Sequence, residues 1–293
     1  DHVDRRIRRY IRAKQKLIAL LEEQKQAVIH QAVTGQIDVR TGRPYPAYKP
    51  SGVEWLGDVP EHWEIRRNGR LFAQRNETGY AELTILEVSL RTGVNVRDFS
   101  DCTRKQVMSD RGSYKRAVQG DLAYNMMRMW QGAVGLAPVD GLVSPAYVVA
   151  RPLGGIDPRY YVSLFRTAIY MTEVDKYSSG IVKDRNRLYW EGFKQMPSPY
   201  PPPTEQAQIA DAIQQQTQAV DIAIGQTVRE IAVLREHRTR LIADVVTVQV
   251  DVRAAAAQLP EETEETDALE DVEELAEDEE GEEQMDEDEE TDG

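Results

Sequence analysis

The sequence predicts an α+β protein. A mixed α/β domain, richer in strand than in helix, is bracketed by two long related helices and followed by a disordered acidic tail. Three observations carry that expectation. Residues 16–40 and 229–253 repeat each other at an offset of 213, with 11 of 25 aligned positions identical, among them Ile18, Leu21, Glu23, Ile29, Val33, Thr34, Asp38, Val39 and Arg40. Both copies carry apolar residues at steps of three, four and seven, which line up on one stripe of a helix. The last 33 residues hold 21 of the chain's 50 acidic residues and no Lys or Arg.

Residues 1–38 form the first helix of this reading, with a stripe of Ile7, Ile11, Ile18, Leu21, Val28 and Ala32. The faces opposite the stripe are dense in Arg, Lys, Glu and Gln, which suits a seam between two helices better than one face laid on a globular core. A period of 213 is far too long for a solenoid. The two helices instead bracket one domain, and that domain must return the chain to its partner, so an antiparallel coiled coil is expected. Residues 39–64 are rich in Pro, Gly, Tyr and Trp without a sustained period and read as an ordered, irregular linker. The globular domain spans 65–203. Within it, 83–89 and 147–152 read as strands, Gly120, Gly132, Gly135 and Gly141 punctuate turns, and 159–174 has a helical period. Pro201, Pro202 and Pro203 cannot continue a helix, so Thr204 is the expected N-cap of the second helix, 204–253, with Glu205 in its first turn. Its stripe is Ile209, Ile213, Val220, Ile224, Ile231, Leu234, Leu241 and Val245. Residues 254–293 cannot bury enough apolar surface to fold.

The formal charge of −14 conceals a division, because residues 1–260 carry 29 acids against 36 bases, a net +7. A mildly basic body suits a polyanionic partner, and the acidic tail works against it. A single cysteine, Cys102, excludes an intramolecular disulfide framework and points to a reducing, cytoplasmic setting. No apolar run approaches the length of a membrane span, and the charged first residues lack a signal core. The chain opens on Asp1 rather than Met and reads as a fragment or a processed product.

Catalytic signatures are missing. There is no phosphate-binding loop, dinucleotide fingerprint, HExxH or paired CxxC, and His2, His30, His62 and His237 lie far apart. Glu23-Gln24-Lys25 sits on the first helix and reads as an ordinary helix face. No catalytic residue, metal or cofactor is expected, and the chain is read as a non-enzyme.

Nucleic-acid features are softer. Arg104, Lys105, Arg111, Lys115, Arg116 and Arg128 fall within 25 positions, interleaved with Tyr114 and Tyr124. Lys183, Arg185 and Arg187 flank Asn186 just after Ser178-Ser179-Gly180. Arg reads guanine bidentately, Asn reads adenine, and Lys mostly meets phosphate. Two readings stay open on these residues alone: DNA contact, or solvated loop charges on snorkelling stems.

Longer phrases add a resemblance. SGVEWLGDVPEHWEIRR (51–67) resembles the opening of a target recognition domain in specificity subunits of type I restriction–modification systems. GDLAYNMMRMWQGAVG with GLVSPAYVV (120–149) looks like the strand-turn core of those domains. FKQMPSPYPPPTEQAQIADAI (193–213) is similar to their exit into the following helix, and LLEEQKQAVIHQAVTGQIDVR to the helix that joins two such domains. The resemblance runs from about residue 4 to 253.

It implies a non-catalytic DNA-binding subunit whose recognition domain reads half of a split double-stranded site. Its helices would hold methyltransferase subunits and direct the restriction subunits. One recognition domain is present, so the chain resembles the second half of a subunit, or a half-subunit that self-associates to rebuild the whole. The residues expected at DNA are Arg104, Lys105, Arg111, Tyr114, Lys115, Arg128, Lys183, Arg185, Asn186 and Arg187. One departure stands out. The second repeat has Val248 where the first has Gly35, which puts the same left-handed helix stop in doubt. The alternatives are the recognition region of a fused restriction enzyme, and a coiled-coil scaffold or decoy that occupies methyltransferase subunits without specific DNA binding.

Overall fold

A computed structural model describes residues 2–97, 111–180 and 186–246. The acidic tail, residues 247–253 of the expected second helix, Cys102, and the expected contact residues Arg104, Lys105, Lys183 and Arg185 lie outside the described residues. The chain divides into two compact units, Asp1–Ile231 and Ala232–Gly293.

Helix α1 (His2–Val33) ends five residues short of the expected boundary at 38. Gly35 is the cause, at φ 75°, a left-handed conformation that turns the chain so that the Gln36 N–H reaches back to the Gln31 carbonyl at 2.9 Å. A Cβ there would meet Pro60 Cδ at 2.5 Å and Trp63 Cη2 at 3.0 Å, so the helix end and the linker touch through a glycine. Beyond it Asp38 is clamped by Arg40 at 2.8 Å, and that guanidinium holds the Asp38 carboxyl below its usual range.

The linker is tied down along its length. It contains a small antiparallel pair, β1 (Tyr48–Pro50) and β2 (Asp58–Pro60). Trp55 packs edge-on to Tyr170 at 5.4 Å, and Trp63 is fully buried.

The domain that follows is built on two four-stranded sheets. One has the order β4 (Phe72–Arg75), β11 (Tyr147–Pro152), β8 (Leu122–Asn125), β9 (Val134–Leu136), antiparallel throughout. The other has the order β6 (Gly93–Val96), β5 (Thr84–Ser89), β10 (Gly141–Val143), β7 (Lys115–Ala117), in which β10 and β5 run parallel. Gly135 lets the sheets approach, since a Cβ on it would lie 2.5 Å from the Val94 nitrogen. A third ladder pairs β3 (Glu64–Arg67) with β12 (Pro197–Tyr200), so the entry and exit of the domain lie side by side.

The single helix expected over 159–174 is two helices. α2 (Pro158–Phe165) and α3 (Ala168–Tyr177) are separated at Arg166–Thr167, where Thr167 stays extended and caps α3 through its hydroxyl. A period alone does not reveal this break, because the apolar residues keep their phase across it. Asp157 caps α2 with Pro158 in its first turn, a residue pair well suited to starting a helix. A short helix, α4 (Trp190–Phe193), precedes β12. Phe72, Tyr160, Tyr161, Phe165, Tyr170 and Phe193 form the aromatic centre of the core, mostly edge-on or tilted at 4.7–6.1 Å.

Helix α5 (Pro203–Val246) begins one residue earlier than expected. The N–H groups of Glu205 and Gln206 donate to the Pro202 carbonyl at 2.9 and 3.0 Å, so Thr204 lies inside the first turn and is not its cap. Proline at the first helical position loses only an N–H that has no partner there and brings a suitable φ. Gln206 is fully buried; it accepts from the Asp157 N–H at 2.9 Å and donates to the Pro201 carbonyl at 2.8 Å.

The helix stripes contain more than the apolar residues. On α1 the inward positions Ile7, Ile11, Lys14, Ile18, Leu21, Lys25, Val28 and Ala32 alternate steps of four and three and are half-buried or buried. Lys14 and Lys25 interrupt the apolar series, and each has an acid from α5: Glu230 at 2.7 Å and Asp221 at 2.5 Å. In these two pairs position rises along α1 as it falls along α5. On α5, Thr217 and Thr227 are buried between the expected apolar residues, and the Thr227 hydroxyl donates to the Ala223 carbonyl at 2.8 Å. The described part of the second unit is the last stretch of α5, where Arg240 pairs with Glu236 at 2.6 Å.

Candidate nucleic-acid interface

The connection from β8 to β9 is a rigid turn. The Asn125 side-chain oxygen accepts from the Met127 N–H at 2.9 Å, and the Asn125 carbonyl from the Arg128 N–H at 3.2 Å. The Arg128 carbonyl then takes the N–H groups of Gln131 and Ala133 at 3.0 and 3.1 Å. Gly132 closes the turn at φ 85°, with Met171 Sδ 3.0 Å from where a Cβ would stand. Met129 is fully buried beneath the turn, whereas Met127 and Trp130 are 39% and 43% exposed. The Trp130 N–H donates to the Met127 carbonyl at 3.0 Å.

A second segment docks against this turn. Ser179 and Arg187 exchange two backbone hydrogen bonds at 3.1 Å, and the next residue, Leu188, donates its N–H to the Met126 carbonyl at 2.9 Å. Leu188 is buried; Arg187 and Tyr189 on either side of it are exposed. The fold thus docks the segment of Asn186 and Arg187 on the turn that carries Arg128, through Met126 and Leu188.

The other expected residues form a neighbouring group. Arg111 lies in a 3-10 turn at Arg111–Ser113, and Tyr114 leads into Lys115 on β7. The Lys115 ammonium donates to the Pro145 and Tyr147 carbonyls, both at 2.7 Å, and burial pushes its pKa down. Tyr147 pairs with Asn125 in the sheet, so Lys115 ties the start of β7 to the same sheet end that carries the β8–β9 turn. Arg116 belongs elsewhere: Asp140 at 3.1 Å and Glu77 at 3.3 Å hold it, with the Tyr80 ring 4.8 Å away. Sequence reasoning did not find Met127, Trp130 and Tyr189 as surface residues, since the run Met126-Met127-Arg128-Met129-Trp130 has no period to separate inside from outside.

Among the described residues no group of three His, Cys, Asp or Glu could hold a metal ion, and no helix is long and apolar enough to cross a membrane.

No family model and no curated protein matches the chain. Solved structures do. A chain from structural work on complex assembly and conformational transition of the type I R-M system aligns at TM-score 0.54 and 16% identity, over 83% of this chain and 56% of its own. The chain shares a type I restriction–modification fold. The HsdS subunit from Thermoanaerobacter tengcongensis aligns at TM-score 0.47 and 15% identity, covering 83% of this chain and 55% of its own. The type I restriction-modification S subunit from M. genitalium aligns at 0.44 and 11%, covering 82% and 57%. This chain therefore spans just over half the length of the restriction–modification proteins it matches.

Within that fold the three phrases that carried the resemblance acquire physical roles. The first supplies the anchoring Trp55 and Trp63, the second is β8, its turn and β9 with β10 and the start of β11, and the third joins β12 to the buried Glu205 and Gln206.

Proposed function

We propose that this chain is a DNA-recognition subunit, or half of one, of a type I restriction–modification complex, and that it performs no catalysis itself. The observation that carries the reading is convergence. The segment of Asn186 and Arg187 docks on the turn that carries Arg128, and Arg111, Tyr114 and Lys115 lie toward the same sheet end. A rigid scaffold that gathers guanidinium and amide groups on one edge suits recognition of phosphate and base edges. Arg104, Lys105, Lys183 and Arg185 belong to the same two basic segments and extend the proposed DNA contact. Double-stranded DNA is the proposed ligand, and the domain is proposed to read one half-site.

The reading predicts that Arg187→Ala weakens binding by about 1–3 kcal/mol and relaxes the selected sequence at one position if the guanidinium reads a base. A phosphate contact would instead weaken all duplexes alike and flatten the salt dependence. Electrophoretic mobility shifts over a salt series, with duplexes drawn from a randomised pool, measure both. Unchanged affinity and unchanged selection would make this cluster a solvated loop.

The helices are proposed to pair as an antiparallel coiled coil that holds methyltransferase subunits, through which restriction subunits are directed. The reversed order of the Lys14–Glu230 and Lys25–Asp221 pairs supports the pairing, since charged residues at seam positions fix register and direction. A line of apolar residues stays exposed on α1: Val3, Tyr10 and Leu17 at seven-residue spacing, with Leu20 beside them. Without other subunits we expect that stripe to drive self-association, and a twofold dimer would read a gapped palindrome. Sedimentation velocity should show a dimer at micromolar concentration that Leu17→Glu with Leu20→Glu converts to monomer; a wild-type monomer would refute it.

A further inference from the structure

We infer that Met127 and Trp130, with Tyr189 beside them, form an apolar wedge that inserts against the bases of duplex DNA, so that the site is selected partly by how readily it unstacks. The inference rests on the DNA-binding reading above and adds to it a mode of recognition and three residues.

The argument begins with what Trp130 has left to offer. A solvent-exposed indole normally keeps its N–H for water or a partner. Here the turn consumes it, in the bond to the Met127 carbonyl. The exposed part of Trp130 is then a flat apolar and π surface with no donor, suited to stacking and unsuited to hydrogen-bond readout. Met127 next to it is equally without a polar hand, and Tyr189 enters the patch through the Leu188–Met126 bond at 44% exposure. Two large apolar side chains and a tyrosine stand exposed on one turn and the segment docked on it.

The turn also cannot withdraw them. Met129 is buried beneath it, Met171 packs against Gly132, and the backbone bonds around Asn125 and Arg128 are each made. An exposed apolar patch on a mobile loop could fold away on itself; on this turn it is held outward. Such patches mark binding surfaces.

Charge decides the occupant. Arg128 lies within the turn and Arg187 on the segment docked against it, with Arg111 in the neighbouring group; of the acids on the adjoining helices, Glu191 pairs with Lys194 and the buried Glu173 with Lys176, while Asp175 is exposed on α3. An apolar projection on segments that also carry guanidinium groups complements a duplex, whose phosphates surround stacked apolar base faces. Side chains of this kind enter base steps and kink DNA, exchanging lost stacking for wider contact with the protein.

The test uses the full chain and a pool of duplexes with a randomised core, from which the preferred sequence is selected at low salt. That sequence is then made with 2-aminopurine at each position in turn, since its fluorescence rises when the base unstacks. The wild-type chain is expected to brighten one step severalfold. Trp130→Ala should abolish the rise and weaken binding on the order of tenfold to a hundredfold, Trp130→Phe should restore part of both, and Met127→Ala should reduce the rise. Arg187→Ala should bind more weakly yet brighten fully at saturation. Trp130 is exposed, so its replacement should leave the far-ultraviolet circular dichroism and melting unchanged. If Trp130→Ala nevertheless unfolds, Met127→Ala and Trp130→Phe carry the test. A chain that selects a sequence but brightens no position, or whose Trp130→Ala form binds and brightens as wild type, overturns the wedge alone. A chain that selects no duplex overturns the DNA reading and the wedge with it.

Discussion

Trp63→Ala is expected to remove about 3–5 kcal/mol of stability, the loss for emptying a large, fully buried aromatic site. Trp63 sits where four elements meet, and its environment leaves little room to collapse. Its ring lies edge-on to Tyr160 of α2 at 6.4 Å and to Tyr45 of the linker at 5.9 Å, and it backs onto Gly35 at the end of α1. Its N–H donates to Glu205 of α5 at 3.2 Å. Glu205 is itself buried and also accepts from the Tyr45 hydroxyl at 2.5 Å and meets His62 at 2.8 Å. Burial, and then the Glu205 contact, push the Tyr45 phenol far above its ordinary range, so it stays a donor to that carboxylate. Removing Trp63 therefore opens a cavity and takes one donor from a buried carboxylate. Trp63→Phe keeps a ring and gives up mainly the bond, so a smaller loss of about 1.5–3 kcal/mol is expected. Urea denaturation followed by circular dichroism measures both. A loss below about 1 kcal/mol for Trp63→Ala would show that the four elements do not depend on this joint.

The helical frame was legible because its period is local. The stripes on both repeats emerged from spacing alone, and the buried positions follow them. What the stripes hid were the exceptions. Lys14 and Lys25 look like interruptions until Glu230 and Asp221 are seen opposite, and those partners are about 200 residues away in the chain. Thr217 and Thr227 look like polar breaks but are buried in the stripe, one of them returning its hydroxyl to the backbone. The strands over 84–89 and 147–152 were readable, whereas β1 and β2 have three residues each, too few to show a period. At the candidate site the basic residue types were visible, but not which of them are occupied. Lys115 is drawn into two carbonyls and Arg116 into two carboxylates, choices made by sheet pairing. The segment that carries Arg187 docks on the turn that carries Arg128 through a hydrogen bond between Leu188 and Met126, which no local pattern encodes.

Arg75→Ala should be the most damaging replacement of a charged residue in the globular domain, at about 3–5 kcal/mol. Arg75 ends β4 with a nearly buried side chain, and its Nε donates to Asp121 at 2.6 Å. Asp121 is 3% exposed and also accepts from the Val118 N–H at 2.9 Å, holding the turn at Gly120 that leads into β8. Two effects compete in such a pair. Bringing both charges out of water opposes folding, so the intact pair adds little net stability over well-packed apolar residues. Deleting the cation alone is different, because the carboxylate stays buried with its desolvation uncompensated. Arg75 also donates to Glu77 at 2.5 Å, and Glu77 in turn meets Arg116, so the deletion loosens a chain of charges that runs on to Asp140. Those contacts, the bond to Arg75 foremost, hold the Glu77 carboxyl below its ordinary range. The competition makes a sharp prediction for the double variant: Arg75→Met with Asp121→Leu should be less damaging than Arg75→Ala, although it removes more hydrogen bonds. Denaturant midpoints for both variants, with each single replacement to complete the cycle, decide it. If the double variant is instead the worse of the two, the pair stabilises through its hydrogen bonds, and avoidance of an unpaired buried charge is not what preserves it.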